Sequence, residues 1–419
     1  MALSLLLEKY DVSSEEGLQK ALNEIEKEES RVAECQRRVH DLIDLQLCSA
    51  GVDAAIKAHD YETGARLVAR FLSMEPGSVA AARARGAPDP RTDMERAANT
   101  LRDHLVRKFE EASRKEDDVA VERLYKLFPQ IGRAEEGVDL LAKYLATQTE
   151  SKIRKACTLE GGGGVGDGGA AHADALTRVL EAGAGGVQRA RSLLAPAHAL
   201  LPRALRHLQP VVCAGVRRVY VSLAGARGLR AGGAGGAVPC AGAALAAEPA
   251  LNELALAHSR IQLYFAFLRR NAELESESAN LSEAEKADCM ESVEKLIAES
   301  DTTRTAQDIL SHYLELERFF LEESVSKALR LSSAQVALAT QAAGGQAAPA
   351  NLVDDVFFIA RKVIRRSITT GSVDGACAVL NEAAAALERS AGAWLRRRLA
   401  APPPDPTDFK MEEIKRLKL

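Results

Sequence analysis

A chain of 419 residues is too long for one hydrophobic core, because single cores stop growing at roughly 250–300 residues. Its 55 Lys and Arg against 59 Asp and Glu leave a net charge of −4, which supplies no field to attract nucleic acid or an anionic membrane. Aromatic residues make up only 4% while Ala, Leu, Glu and Arg abound, the composition of helices packed through aliphatic stripes.

The run Met1–Tyr10 is apolar at Leu3, Leu5, Leu6 and Leu7 but has no basic segment before it and is cut short by Glu8 and Lys9, so no signal peptide and a cytosolic location are expected. From Leu18 onward, Leu18, Leu22, Ile25, Val32, Val39 and Ile43 alternate in steps of four, three and seven on one heptad register, with Glu29 and Gln36 as polar exceptions. That spacing puts them on one seam of a helix whose other faces carry Glu24, Glu26, Lys27, Glu28, Arg31, Glu34, Arg37 and Arg38. A helix of this kind gains its stability from covering the seam. Two readings stay open, pairing with a partner subunit or burial inside the chain's own bundle, and the six apolar residues are the candidate partner-binding site.

A second helical stripe runs over Val52–Leu72, broken at Lys57-Ala58-His59-Asp60-Tyr61-Glu62 by a polar turn, which predicts a helical hairpin. The Pro, Gly and Ala content of Met74–Pro90 predicts a loop. Helices are expected at Arg91–Ser113, Val119–Phe128 and Glu135–Ala156, with Pro129 and Gly132 as punctuation. Residues 158–250 are Gly/Ala-rich and are expected to be weakly helical or disordered. Leu176, Val179 and Leu180 keep a helical spacing, Leu193–Leu208 does so weakly, and Val221–Ala247 does not. So little apolar area offsets little of the chain entropy of ordering. Helix resumes at Leu251–Leu268, Glu283–Ala298, Gln307–Arg330, Asn351–Ile368 and Val373–Leu399, with breaks at Ala343–Pro349 and Pro402–Pro406. No period-two alternation predicts a sheet, no fixed-period solenoid repeat stands out, and no segment reaches the roughly 18 uncharged apolar residues of a membrane span.

Catalytic and ligand signatures are missing. Glu160–Gly169 holds seven glycines, yet no Lys-Ser or Lys-Thr follows and no strand precedes it, so it reads as a linker and not as a phosphate loop. His172, His198, His207 and His258 lack the spacing of zinc ligands and read as surface or core histidines. The seven cysteines form no CxxC and read as reduced, mostly buried thiols. No GxSxG elbow is present. The chain therefore reads as a protein without cofactor or metal that binds other proteins and is not an enzyme. Arg361, Lys362, Arg365 and Arg366 form one basic side of a helix and read as its solvated face, with acidic lipid or an acidic partner as the other reading. Tyr264, Phe265, Phe267, Tyr313, Phe319 and Phe320 are the densest aromatic group and read as packing between successive helices.

Six stretches carry a collinear resemblance: Leu42–Cys48, His59–Glu62, Val121–Pro129, Glu135–Gly137, Leu352–Ile359 and Glu412–Leu419. In this order they resemble the fourth-subunit family of the conserved oligomeric Golgi (COG) tethering complex, over about 14–157 and 251–399, with Ala173–Thr177 as a scattered match between. The resemblance implies an all-α fold: an N-terminal coiled-coil or helical hairpin followed by successive bundles in a rod, a CATCHR-like tether, here with a Gly/Ala-rich, poorly ordered middle. It implies a peripheral protein of the cytoplasmic Golgi face acting in intra-Golgi retrograde transport. The implied partners are other COG subunits, Golgi SNAREs and their Sec/Munc-type regulators, with peripheral contact to the Golgi membrane and none with nucleic acid. A general coiled-coil scaffold or adaptor of another trafficking assembly is the alternative. The expected organisation is N-terminal helices at 1–73, a helical segment at 74–157, the Gly/Ala-rich part at 158–250, a bundle at 251–400, and a Pro-rich break and tail at 401–419. The family's long C-terminal helical domains are expected to be missing between Leu399 and the tail.

Overall fold

The computed structural model describes residues 15–73, 90–158, 171–194, 200–229, 244–278, 281–341 and 352–400. Among them thirteen α-helices and one π-helical turn account for nearly all of the structure, and no strand is formed. The chain divides into two compact units, residues 1–144 and 145–419.

In the first unit, α1 (Glu15–Lys57) packs its C-terminal turns on α2 (Tyr61–Leu72) and α3 (Pro90–Arg114), and α3 also packs on α4 (Asp118–Tyr125). The core joins Val52 and Ile56 of α1, Val68 of α2, Leu101, Leu105 and Phe109 of α3, and Tyr125 and Phe128. The Phe109 and Phe128 rings meet edge to face at 6.3 Å. α5 begins at Ala134 close against that core, since a Cβ on Gly137 would lie 2.6 Å from Phe128 Cβ. The Arg102 guanidinium grips the Glu136 carboxylate with both Nε and Nη2 and ties α3 to α5.

The predicted turn at Lys57–Glu62 is present and has a twin. The α1–α2 and α3–α4 turns both place a non-glycine residue in the left-handed region, His59 at φ 59° and Glu116 at φ 54°. In each, the next residue donates its N–H back to the carbonyl five positions earlier, Asp60 to Ala55 (2.9 Å) and Asp117 to Ala112 (3.1 Å). The same aspartates then cap the following helix, accepting from Thr63 N–H and Ala120 N–H at 3.1 Å each. Capping by Asp60 holds its carboxyl below the usual carboxylate range.

The second unit holds the rest of α5 (to Thr158), α6 (Ala171–Leu193), α7 (Leu201–Arg227), α8 (Ala244–Ser278), α9 (Glu283–Ala298), α10 (Asp301–Gln341), α11 (Leu352–Ile368), α12 (Val373–Ala386), the π-turn Leu387–Gly392 and α13 (Ala393–Ala400). α8 packs on α6, α9 and α10, α7 packs on α6 and α10, and α11 and α12 form a hairpin against α10. α9 opens on a capping box in which Ser282 and Glu285 satisfy each other's backbone N–H groups.

The expectation of a weakly helical or disordered middle is corrected over 171–193 and 201–227, where α6 and α7 run as uninterrupted helices with their inner faces buried. Residues 159–170, 195–199 and 230–243 lie outside the described part. Two physical features offset the shortage of large apolar side chains. Three glycines sit where a side chain of another helix presses against the backbone: an added Cβ would lie 2.7 Å from Val212 at Gly183, 2.7 Å from Thr149 at Gly186, and 2.8 Å from both Ile153 and Val179 at Gly215. Close approach replaces side-chain bulk with dense backbone contact.

The second feature is capping from outside. α7 has Leu200 at its N-cap position, with no side-chain cap of its own. Glu275 of α8 accepts the Leu201 N–H at 3.2 Å instead. At the other end of α8, Glu253 accepts the His172 N–H at the start of α6 (3.0 Å) and binds Arg227 at the end of α7 through Nε (3.1 Å) and Nη2 (2.8 Å). Glu253 and Glu275 are 22 positions apart, about six helical turns, so they lie on nearly the same side of α8. One helix thus anchors the N-termini of two others through buried carboxylates.

Candidate partner-binding surfaces

The predicted seam residues lie on α1, a single helix of 43 residues and therefore about 65 Å long. Its last turns are anchored in the first unit by Cys48, Val52, Ala55 and Ile56, all buried. The earlier part is not covered: Leu22 is 47% and Val32 is 55% exposed, Ile25 is half-buried, and every residue from Glu26 to Gln36 is exposed. The structure therefore aligns Leu22, Ile25 and Val32 along one helix and leaves Leu22 and Val32 uncovered by any other element among the described residues. The side chains of Leu18, Val39 and Ile43 lie outside the described part. Glu28 and Arg31 form an exposed ion pair at 2.6 Å on the polar side, the kind of contact that adds at most a few tenths of a kcal/mol.

The four basic residues of α11 do not form one solvated face, and that reading is corrected. Arg366 is buried and binds Glu317 of α10, with Nε 2.9 Å from Oε2, while its guanidinium lies over the Phe320 ring at 4.7 Å. Lys362 binds Glu248 of α8 at 2.6 Å and lies over the same ring at 5.7 Å. Only Arg361 and Arg365 face outward. A 100° turn per residue explains the split: positions 362 and 366 fall toward the buried side marked by Val356, Ala360 and Val363, and positions 361 and 365 fall away from it.

The aromatic group is largely core. Tyr264, Phe265, Tyr313 and Phe320 are buried, and Tyr264 stacks on the half-buried Phe267 at 6.4 Å. Burial drives the Tyr264 and Tyr313 hydroxyls far above the usual tyrosine range. His258 is a core histidine: its Nδ1 donates to the Thr370 carbonyl at 2.7 Å, and burial lowers its pKa below the ordinary histidine value. His172 serves the Glu253 anchor through its ring Nδ1 as well, at 3.1 Å, and His207 is half-buried on α7, while His198 lies outside the described part. Cys48, Cys213 and Cys289 are buried, whereas Cys35 and Cys377 are exposed. Among the described residues no cluster of His, Cys, Asp and Glu could hold a metal ion, and no helix is long and apolar enough to cross a membrane. In the first unit, the groove beside the α1–α2 and α3–α4 turns is lined by charges that satisfy one another, with Glu111 between Lys115 (2.7 Å) and Lys108 (2.9 Å) and its carboxyl held down at about 2.

Among the described residues the structure thus belongs to the class of all-helical bundle proteins, with large apolar side chains exposed along α1 and α11. The chain is a member of the family of conserved oligomeric Golgi complex subunit 4. Residues 11–88 match the model described as conserved oligomeric Golgi complex subunit 4, N-terminal, and residues 245–399 match that described as COG4 transport protein, middle alpha-helical bundle. Similar proteins include conserved oligomeric Golgi complex subunit 4 of Drosophila melanogaster, 34% identical over 85% of this chain and 50% of its own length. The subunit of Mus musculus is 26% identical over 90% of this chain and 49% of its own, and that of Homo sapiens 26% over 89% and 48%. The chain spans about half the length of these relatives.

Proposed function

We propose that the protein is a subunit of a multisubunit Golgi vesicle-tethering complex, acting in intra-Golgi retrograde transport from the cytoplasmic face of the Golgi membrane, to which it associates peripherally. In this reading α1 is the contact element for other COG subunits, and Golgi SNAREs with their Sec/Munc-type regulators are further partners. The observation that carries it is the uncovered seam. An exposed helix with Leu22, Ile25 and Val32 in one line is a surface that a partner helix covers at a gain of about 25 cal/mol per Å² of apolar area. The anchored C-terminal turns of α1 hold the seam out as a preformed ligand, which lowers the entropy lost on binding.

Replacing Leu22 and Ile25 together by Asp is the test. Because neither is fully buried, the fold should be unaffected, with unfolding free energy changed by no more than about 0.5 kcal/mol, while co-purification of other COG subunits from cells should be lost. Retention of those subunits by the doubly substituted protein would overturn the assignment of α1 as the contact.

A further inference from the structure

Helix α11 exposes more large apolar side chains than any other helix among the described residues: Val353 at 54%, Phe357 at 60%, Phe358 at 68% and Ile368 at 64%. Its inner face is already occupied by Leu352, Val356, Ala360 and Val363. The exposed Val353, Phe357 and Ile368 and the half-buried Ile364 fall within an arc of about 60° at 100° per residue, and so form one stripe beside the inner face. Contiguous exposed apolar surface of this kind marks an interaction site.

The pattern of the stripe says what covers it. Val353 and Ile368 lie equally far from the midpoint between Ala360 and Arg361, and so do Phe357 and Ile364. Turned end for end about that midpoint, the stripe falls on itself, Val353 against Ile368 and Phe357 against Ile364. A two-fold axis lying in the plane between two antiparallel helices also brings the same flank of each into contact. On α11 that flank carries Asp354 near one end and Arg365 near the other, both exposed. Neither forms an ion pair among the described residues. In the reversed copy, Asp354 stands within two residues, about 3 Å of axial rise, of Arg365, and the pairing occurs twice. Arg361 falls beside the axis and meets its own copy. An equal number of opposite charges at the two ends suits neither an anionic membrane nor a uniformly acidic partner, and the arrangement is that of an isologous interface.

We infer that α11 is a self-association surface on which a second copy of this chain docks antiparallel about a two-fold axis near residues 360–361. A single helix about 25 Å long is a small interface, so association is in the micromolar range, at the weak end of specific contacts. The inference does not depend on the tether role, and it is tested on the purified full chain with no other protein present.

Sedimentation velocity from about 1 to about 100 µM should show a monomer–dimer equilibrium. It should persist in the Leu22→Asp, Ile25→Asp background, which separates it from pairing through α1. Arg365→Asp should weaken dimerisation by at least about tenfold by setting two like-charge pairs across the axis. Adding Asp354→Arg in the same chain should restore it, and Arg361→Leu should tighten it. Phe357→Asp, at a position already exposed, should abolish it with the helical circular dichroism unchanged. A wild-type chain that stays monomeric at the highest concentration overturns the inference, as does a dimer lost with the α1 substitutions or a charge swap that fails to restore what the single substitution removed.

Discussion

Helix α1 carries a regular apolar heptad, yet Leu22 and Val32 stay about half exposed. The α6–α7 pair carries Gly183, Gly186 and Gly215 at its contacts and buries all three. Leu22 and Val32 of α1 meet no helix among the described residues, because the chain turns back at His59 and packs against the last part of α1. Gly183, Gly186 and Gly215 have neighbours at the limit of van der Waals approach, and the ends of their helices are held by Glu253 and Glu275 of α8. Apolar content measures what a helix could gain from a partner, and burial measures whether the chain itself supplies one. The first region leaves apolar side chains exposed, and the second buries its glycines.

The strongest way to break the second region is to remove its anchor. Glu253→Ala would leave the partly buried Arg227 without its carboxylate and the start of α6 without its cap, a loss on the order of 3–5 kcal/mol read as a drop in denaturant midpoint. Hydrogen exchange should rise first in α6 and α7. A substitution of the same size on α1, Leu22→Ala, should leave that midpoint within about 0.5 kcal/mol.

A smaller effect distinguishes glycines that permit contact from those that do not. Gly215→Ala forces a methyl to within 2.8 Å of Ile153 and Val179, and overpacking of about 1–3 kcal/mol should outweigh the roughly 1 kcal/mol helix-propensity gain. Gly185→Ala and Gly225→Ala meet nothing within 4 Å, so both should stabilise by about 0.5–1 kcal/mol. Thermal unfolding of the three variants side by side would show the sign change, and stabilisation by Gly215→Ala would refute the close-approach account.

The mildest probe is pH. His258 is buried and its folded-state pKa is depressed, so the unfolded chain takes up the proton first. Stability contributed by the neutral ring should therefore fall as pH drops below the ordinary histidine value, and stop falling once pH passes below the depressed one. Unfolding curves at pH 7.5 and at lower pH should differ less in His258→Gln than in the wild type. An equal acid loss in both would remove His258 from the explanation.

Periodicity placed several helices within a few residues of where they fold, as for Glu283–Ala298, and made α8 and α10 too short by six residues or more at each end, because 3.6-residue spacing of apolar side chains is a local property that marks the packed part of a helix better than its ends. It also placed Leu22, Ile25 and Val32 on one line and the His59 turn between two helices. It underestimated α6 and α7 because glycine reads as a helix breaker until a second helix lies close enough to make its missing Cβ an advantage. It merged Arg361, Lys362, Arg365 and Arg366 into one charged side because the acidic partners, Glu248 and Glu317, are more than 40 residues away along the chain. The α8 carboxylates that cap other helices were hidden for the same reason.

By itself, then, the sequence determined the all-helical class, the approximate positions of the helices outside the Gly/Ala-rich middle, and the alignment of Leu22, Ile25 and Val32 along one helix, since these follow from local spacing and propensity. Only the tertiary structure decided which faces are covered. It turned Arg366 and Lys362 inward, made glycines into contact points, and left Leu22 and Val32 of α1 and the outer stripe of α11 exposed among the described residues, because coverage depends on elements far apart in the chain meeting in space.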